Sequence, residues 1–241
     1  VKTLSIDKDN GDSSLVLRYP GGWASEASEA PERLAADEEI FVLDGELEIN
    51  GTAYRKNCYA YLPAGFARES ATSESGAVAL SFFSGTPSRL PPESKEGFDE
   101  SLLVAFVDTV AQEWEVGGFD PNLRHMKAGR KSLWTHPRTK ETTFLFCTTP
   151  HCVPDGWKGP QETHDVVEES FVISGEIAGH VGLRRPGAYY WRPPGIRHGP
   201  FGSLTGSVAL FRIRGGPLVN EWSEDEVQFT FSPAYTPSLP P

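Results

Sequence analysis

The chain has 241 residues, 38% of them hydrophobic and 11% aromatic, with a formal net charge of −11. Such acidity argues against nucleic-acid binding by phosphate neutralisation and against attraction to anionic membranes. No apolar run approaches the ~18 residues that a spanning helix needs. No signal-peptide pattern opens the chain. The three cysteines (Cys58, Cys147 and Cys152) contain no CxxC pair, which fits a reducing, cytoplasmic setting, although Cys147 and Cys152 lie close enough in sequence to pair. Frequent glycine (24) and proline (20) without a collagen-like period suit short strands and turns.

In chain order, the first segments are "KTLSI" at 2–6 and "SSLVL" at 13–17, followed by "EEIFVLDGELEING" at 38–51. "YAYLPAG" at 59–65 and "GAVALSFFSGTP" at 76–87 complete this half. Each is rich in β-branched or aromatic residues and ends at a glycine or proline, as short strands do. The series then recurs. "EESFVISGEIAGHV" at 168–181, "YYWRPPG" at 189–195 and "GSVALFRIRGGP" at 206–217 repeat three of these segments at a constant offset of 130. "KSLWT" at 131–135 and "TTFLF" at 142–146 repeat the first two at an offset of 129. Two copies of one all-β unit follow, with boundaries at 1–112 and 113–241. Residues from about 88 to 130 join the copies. "SRLPPESKEG" in this stretch reads as an exposed linker, and "DESLLVAFVDTVAQEWE" as a short helix or a strand. The tail "SPAYTPSLPP" is expected to lie extended or disordered. Evenly spaced short strands predict a sandwich or barrel, with one sheet face inside and the other covered by the sister copy or a second subunit.

The second copy holds the chemistry. In "ETHDVVEESFVISG", Glu162 and His164 are two residues apart, so on a strand they share a face, and Glu168 follows. "GAYYWRPPGIRH" then brings His198. Gly187, Pro193, Gly195 and His198 complete one two-part signature with spacings of five, one and two residues. His164, Glu168 and Gly175 complete most of the other, with spacings of three and six. Together these resemble the two motifs of the cupin superfamily. Glu162 stands where that family has its first histidine, and Gly156 stands near the place of the leading glycine.

The resemblance implies two tandem jelly-roll barrels in one chain and a metal held by His164, Glu168 and His198, with Glu162 as a fourth ligand or a general base. Two imidazoles with one or two carboxylates suit one divalent ion of Fe, Mn, Zn or Ni better than Ca or Mg. Carried back by 130 residues, Glu162, His164, Glu168 and His198 fall on Glu32, Leu34, Glu38 and Arg68. Arg68 cannot ligate a metal. The first copy therefore reads as degenerate and metal-free, with Arg68 either paired to Glu38 or available to an anion. Of the remaining arginines, Arg197 and Arg212 are candidates for holding a substrate carboxylate, with plain surface charge as the alternative.

The layout resembles the ChrR-like bicupins. Among the activities of the cupins, a mononuclear non-haem Fe(II) dioxygenase acting on a small organic substrate is the leading expectation. A non-redox lyase, isomerase or hydrolase and a metal- or ligand-sensing regulator are the alternatives. A homodimer is the partner expectation.

Overall fold

The computed structural model describes residues 1–25, 30–94, 96–117 and 119–234. It is all-β and divides into two compact units, 1–112 and 113–241. The proline-rich tail lies outside the described residues from position 235 onward.

Among the described residues, unit 1 contains β1 (Lys2–Ile6), β2 (Ser13–Tyr19), β3 (Trp23–Ala24), β4 (Glu38–Ile49), β5 (Thr52–Arg55), β6 (Cys58–Leu62), β7 (Ala71–Ser73), β8 (Ala77–Phe83) and β9 (Val104–Asp108). The main path of its sheet runs β1-β2-β8-β4-β6-β9. Unit 2 contains β10 (Gly129–Thr135), β11 (Thr142–Thr148), β12 (Lys158–Thr163), β13 (Val167–Gly175), β14 (Ile177–Gly179), β15 (Gly182–Arg184), β16 (Tyr189–Arg192), β17 (Ser207–Arg214) and β18 (Glu221–Gln228). Its main sheet runs β10-β11-β17-β13-β16, and two further ribbons pair β12 with β18 and β14 with β15. Pairing is antiparallel throughout these paths, and among the described residues the ladders do not close into a barrel.

The two units repeat each other bond for bond in places. In unit 1, β4 faces β8 with Glu38 opposite Phe83 and a bulge between Val42 and Asp44. In unit 2, β13 faces β17 with Glu168 opposite Ile213 and a bulge between Val172 and Ser174. The glycine after each bulge has positive φ, +73° at Gly45 and +69° at Gly175. A Cβ there would lie 2.0 Å from the carbonyl oxygen of Gly76 or Gly206. Both positions therefore require glycine, on conformational and on steric grounds.

The core of unit 1 gathers Ile40, Val42, Leu47, Ile49 and Leu62, while Phe41, one residue out of phase, is also buried. Both faces of β4 are thus covered, and the strand reads as a continuous apolar run. Phe144, Val166 and Ile213 form a core cluster in unit 2, with Phe146, Phe211 and Leu218 packed against it.

The joining segment takes one of the two expected forms, a strand. Val104–Asp108 is the edge strand beside β6 and belongs to unit 1, preceded by a single 3-10 turn at Glu100–Leu102. "SRLPPESKEG" is exposed along much of its length, yet it begins tethered: Ala35 N donates to Ser88 O at 2.9 Å, and Leu90 N donates to Arg33 O at 2.8 Å. All three cysteines are free.

Candidate metal centre

Three segments distant in sequence deliver the four predicted residues to one place. Glu162 lies near the end of β12, opposite Trp222 of β18, just past a bulge at Pro160. The turn after β16 runs back beside it: Glu162 N donates to His198 O at 2.8 Å, and His198 N donates to Glu162 O at 3.0 Å. Gly195 N donates to His164 O at 2.8 Å and ties the same turn to the residue after β12. These three backbone bonds fix where the two imidazoles hang. Glu168 is the second residue of β13 and points to the same place.

Glu162, His164 and His198 are all buried and bring one donor atom each within 4.8 Å of one another. His164 Nε2 lies 3.1 Å from His198 Nε2. His198 Nε2 is 3.5 Å from Glu162 Oε1 and 3.5 Å from Glu168 Oε2, and His164 Nε2 is 3.6 Å from Glu168 Oε2. The far nitrogens decide the tautomers. His198 Nδ1 lies 2.7 Å from the Ile196 carbonyl oxygen, and His164 Nδ1 lies 3.3 Å from that of Val219. A carbonyl only accepts, so each Nδ1 carries the proton and each Nε2 presents its lone pair inward. Two lone pairs 3.1 Å apart, beside two carboxylates, form a donor set that calls for a cation.

The electrostatics agree. Burial, then the charge of Arg192, lowers His198 to about 3, so its ring is neutral at physiological pH. Burial, then the Glu168 charge, pushes Glu162 up to about 8. Its other oxygen accepts from Asn220 Nδ2 at 2.7 Å. Glu168 behaves oppositely. Burial works against its charge, but the Arg192 guanidinium, with the hydrogen bond from Tyr190, holds it below the usual carboxylate range. Arg192 is the direct cross-strand neighbour of Glu168, and its guanidinium meets Glu168 Oε2. Tyr190 OH donates to Glu168 Oε1 at 2.9 Å. Glu168 thus faces the imidazoles with both oxygens already engaged, whereas Glu162 keeps Oε1 toward them.

Glu162, His164 and Glu168 line a cavity of about 590 Å³. Phe144, Phe146, Phe201 and Phe211 give it aromatic walls, and Arg130 and Arg184 give it positive charge. The Arg130 guanidinium lies 3.9 Å over the Phe144 ring, and that of Arg184 lies 4.9 Å over the Tyr190 ring. In each, the buried Nε has no hydrogen-bond partner among the described residues.

The arginines named from sequence do otherwise. Arg212 is 3% exposed and donates to Glu169 at 2.8 Å, so its charge is spent in a buried pair. Arg197 is exposed. His151 lies outside the site, with Nδ1 at 2.8 Å from its neighbour Thr149 O. Arg130, Arg184, Arg192 and Asn220 were not singled out for this site, because nothing in their local sequence marks them. The one sequence signal for two of these contacts is the shared parity of Tyr190, Arg192 and His198 along "YYWRPPGIRH".

Solved structures of similar fold are cupin-type proteins. A candidate dioxygenase from Nostoc punctiforme superposes with a TM-score of 0.71 at 17% identity, covering 92% of this chain and 73% of that one. An oxalate decarboxylase variant from Bacillus subtilis gives 0.54 at 13% identity, over 88% and 71%. A salicylate 1,2-dioxygenase variant from Pseudoaminobacter salicylatoxidans gives 0.50 at 10% identity, over 84% and 69%. At these identities the likeness establishes the fold alone. No curated protein matches the sequence. The model of a domain of unknown function, DUF4437, matches residues 1–215, and the chain belongs to that family.

Proposed function

We propose that the chain is a metal-dependent bicupin whose second unit holds one divalent ion through Glu162, His164 and His198, with Glu168 as a fourth ligand. In this reading it acts as a mononuclear non-haem Fe(II) dioxygenase on a small aromatic or enolisable carboxylate. The observation that carries the reading is the pair of inward imidazole lone pairs 3.1 Å apart, flanked by two carboxylates in a ligand-sized cavity. The Mn(II) centres of Bacillus subtilis oxalate decarboxylase, a similar fold, support a metal at such a place.

When bound, Fe(II) would supply open coordination positions for substrate and oxygen and exchange electrons with them. The chain does the rest. Arg130 and Arg184 offer unpartnered Nε donors in the cavity, which suits a substrate carboxylate. The phenylalanine walls suit a planar body and keep bulk water away. Arg192 keeps Glu168 ionised, so one negative charge is always present to balance the cation. Glu162, held by Asn220, releases its proton when a cation takes its place. That retained proton also favours a second reading, in which Glu162 is a general acid or base in non-redox lyase, isomerase or hydrolase chemistry.

Metal analysis on anaerobically purified protein, beside His198→Ala, tests the site. About one iron per chain, absent from the variant, is expected. Oxygen uptake with salicylate, other phenolic acids and diketones then separates the two readings. Turnover without oxygen consumption would transfer the site to the non-redox class.

A further inference from the structure

Unit 1 keeps the frame of the metal centre and replaces its contents. Glu32 N donates to Arg68 O at 2.9 Å, and Arg68 N donates to Glu32 O at 2.9 Å, as Glu162 and His198 do 130 residues later. Gly65 N donates to Leu34 O at 2.8 Å, as Gly195 does to His164. Arg68 therefore hangs where His198 hangs in unit 2, and Leu34 occupies the place of His164. Arg68 Nη2 meets Glu38 Oε2 at 2.6 Å, with the Arg68 side chain 14% exposed and that of Glu38 buried at 2%. The cation that unit 2 would recruit is thus built into unit 1.

An ion pair that merely plugged the vacated site would leave little space beside it. Instead, Glu38 and Arg68 line a cavity of about 600 Å³, as large as that of unit 2. Tyr19, Trp23, Ile40, Leu47 and Phe83 provide apolar walls. Glu38 Oε2 is taken up by the ion pair but keeps a second lone pair, and Arg68 Nε is buried without a hydrogen-bond partner among the described residues. Buried polar atoms in a cavity are satisfied by something, and these two ask for complementary groups: an acceptor on the arginine side and a donor on the carboxylate side. Charge narrows the class. The lining holds three carboxylates (Glu32, Glu38, Glu69) and three guanidinium groups (Arg33, Arg68, Arg89), which balance. Only the Glu38–Arg68 pair lies at the desolvated end, and there a ligand with net charge would upset a balanced pair while a neutral one would not. Burial, then the Glu38 charge, also raises the Tyr19 phenol above its ordinary range and keeps it a neutral hydroxyl on the wall.

We propose that unit 1 is a second, metal-independent ligand site. It takes a small neutral molecule with an apolar body and an amide-type head, whose carbonyl accepts from Arg68 and whose N–H donates to Glu38. No residue of this site belongs to unit 2, so the proposal stands apart from the metal chemistry.

Benzamide is the probe, with benzoate as its charged counterpart, followed by calorimetry and saturation-transfer NMR on the full chain. The proposal expects saturable binding of one benzamide per chain, weak displacement of it by benzoate, and no change in either in His198→Ala. The double variant Glu38→Leu/Arg68→Met removes the pair without leaving a lone buried charge, and should weaken benzamide about tenfold. Glu38→Gln keeps the shape and frees the Arg68 charge, so it should reverse the preference in favour of benzoate. The proposal is overturned if benzamide does not saturate a site or if benzoate displaces bound benzamide at a lower concentration than unlabelled benzamide does. It is equally overturned if binding is lost in His198→Ala or retained in the double variant. Should the double variant fail to fold, an unchanged preference in Glu38→Gln overturns it alone.

Discussion

Replacing Arg192 by leucine tests whether the charge at the candidate metal centre is held as described. The Arg192 and Glu168 side chains are 11% and 7% exposed, so removing the guanidinium strands a carboxylate that water cannot reach. Breaking one partner of such a buried pair costs about 3–5 kcal/mol. An arginine–glutamate pair at the surface gives the control. Arg185 and Glu176 meet at 2.6 Å with side chains 67% and 34% exposed, and losing that contact costs at most about 1 kcal/mol. Urea unfolding of both variants in chelator, followed by tryptophan fluorescence, should therefore separate them by several-fold. Adding Mn(II) or Fe(II) should then narrow the gap between Arg192→Leu and wild type, because a bound cation takes over the neutralisation of Glu168. If Arg192→Leu costs no more than Arg185→Leu, the buried pair does not support the unit as argued. If metal leaves the gap unchanged, Glu168 does not face the ion.

Three further outcomes follow from particular residues. In chelator, Glu162 keeps its proton up to about pH 8 when folded but ionises near 4.5 when unfolded, so the native state binds the extra proton between these values. Wild-type stability should fall by a few kcal/mol as pH rises through that window, and Glu162→Gln should flatten the fall in thermal scans. Gly175→Ala should cost roughly 2–4 kcal/mol in urea unfolding, since its Cβ would meet Gly206 O at 2.0 Å with φ at +69°. Gly187→Ala, at φ +86° with open space around it, should cost only about 1 kcal/mol. Burial raises the Cys58 thiol above its ordinary range, so less thiolate is present at any given pH. Iodoacetamide at pH 8 should label exposed Cys152 first and Cys58 only on unfolding, as read by intact mass. Equal native labelling would refute the burial of Cys58.

Much of the frame was legible because antiparallel ladders leave local marks. Gly45 and Gly175 sit where no other residue fits, and the apolar runs around them recur at a fixed offset. The four metal-ligating candidates were legible for the same reason: Glu162 and His164 sit at one strand end, Glu168 near the start of the next strand, and His198 after a proline-glycine turn. Contacts set by cross-strand register were not. Arg192 reaches Glu168 because β16 pairs β13 in one register out of several, and nothing in "YYWRPPG" selects it. Asn220 arrives from just before β18, 58 residues from Glu162. Arg212 was misjudged because a charge in a strand reads alike whether it faces water or Glu169. Val104–Asp108 was ambiguous because five mostly apolar residues carry no period that separates strand from helix.

The comparison of units shows which links in the chain of causes are rigid and which are free. The backbone bonds between residues 32 and 68 and between 162 and 198 are the same, and so are the hydroxyl contacts Tyr59 to Glu39 and Tyr189 to Glu169, both 2.7 Å. Those contacts build the sheet, and they leave the inward side chains at 34, 68, 164 and 198 unconstrained by it. Charge then constrains those positions in turn. Glu38 and Glu168 are both buried carboxylates, and each has to meet a cation. Unit 1 meets the need from within its own turn, by Arg68, at the cost of a metal position. Unit 2 meets it from the neighbouring strand, by Arg192, which leaves the turn free to carry His198. The location of one guanidinium, on the turn or six residues earlier on the strand, is what separates a frame that carries its own cation from one that leaves two imidazole lone pairs facing each other.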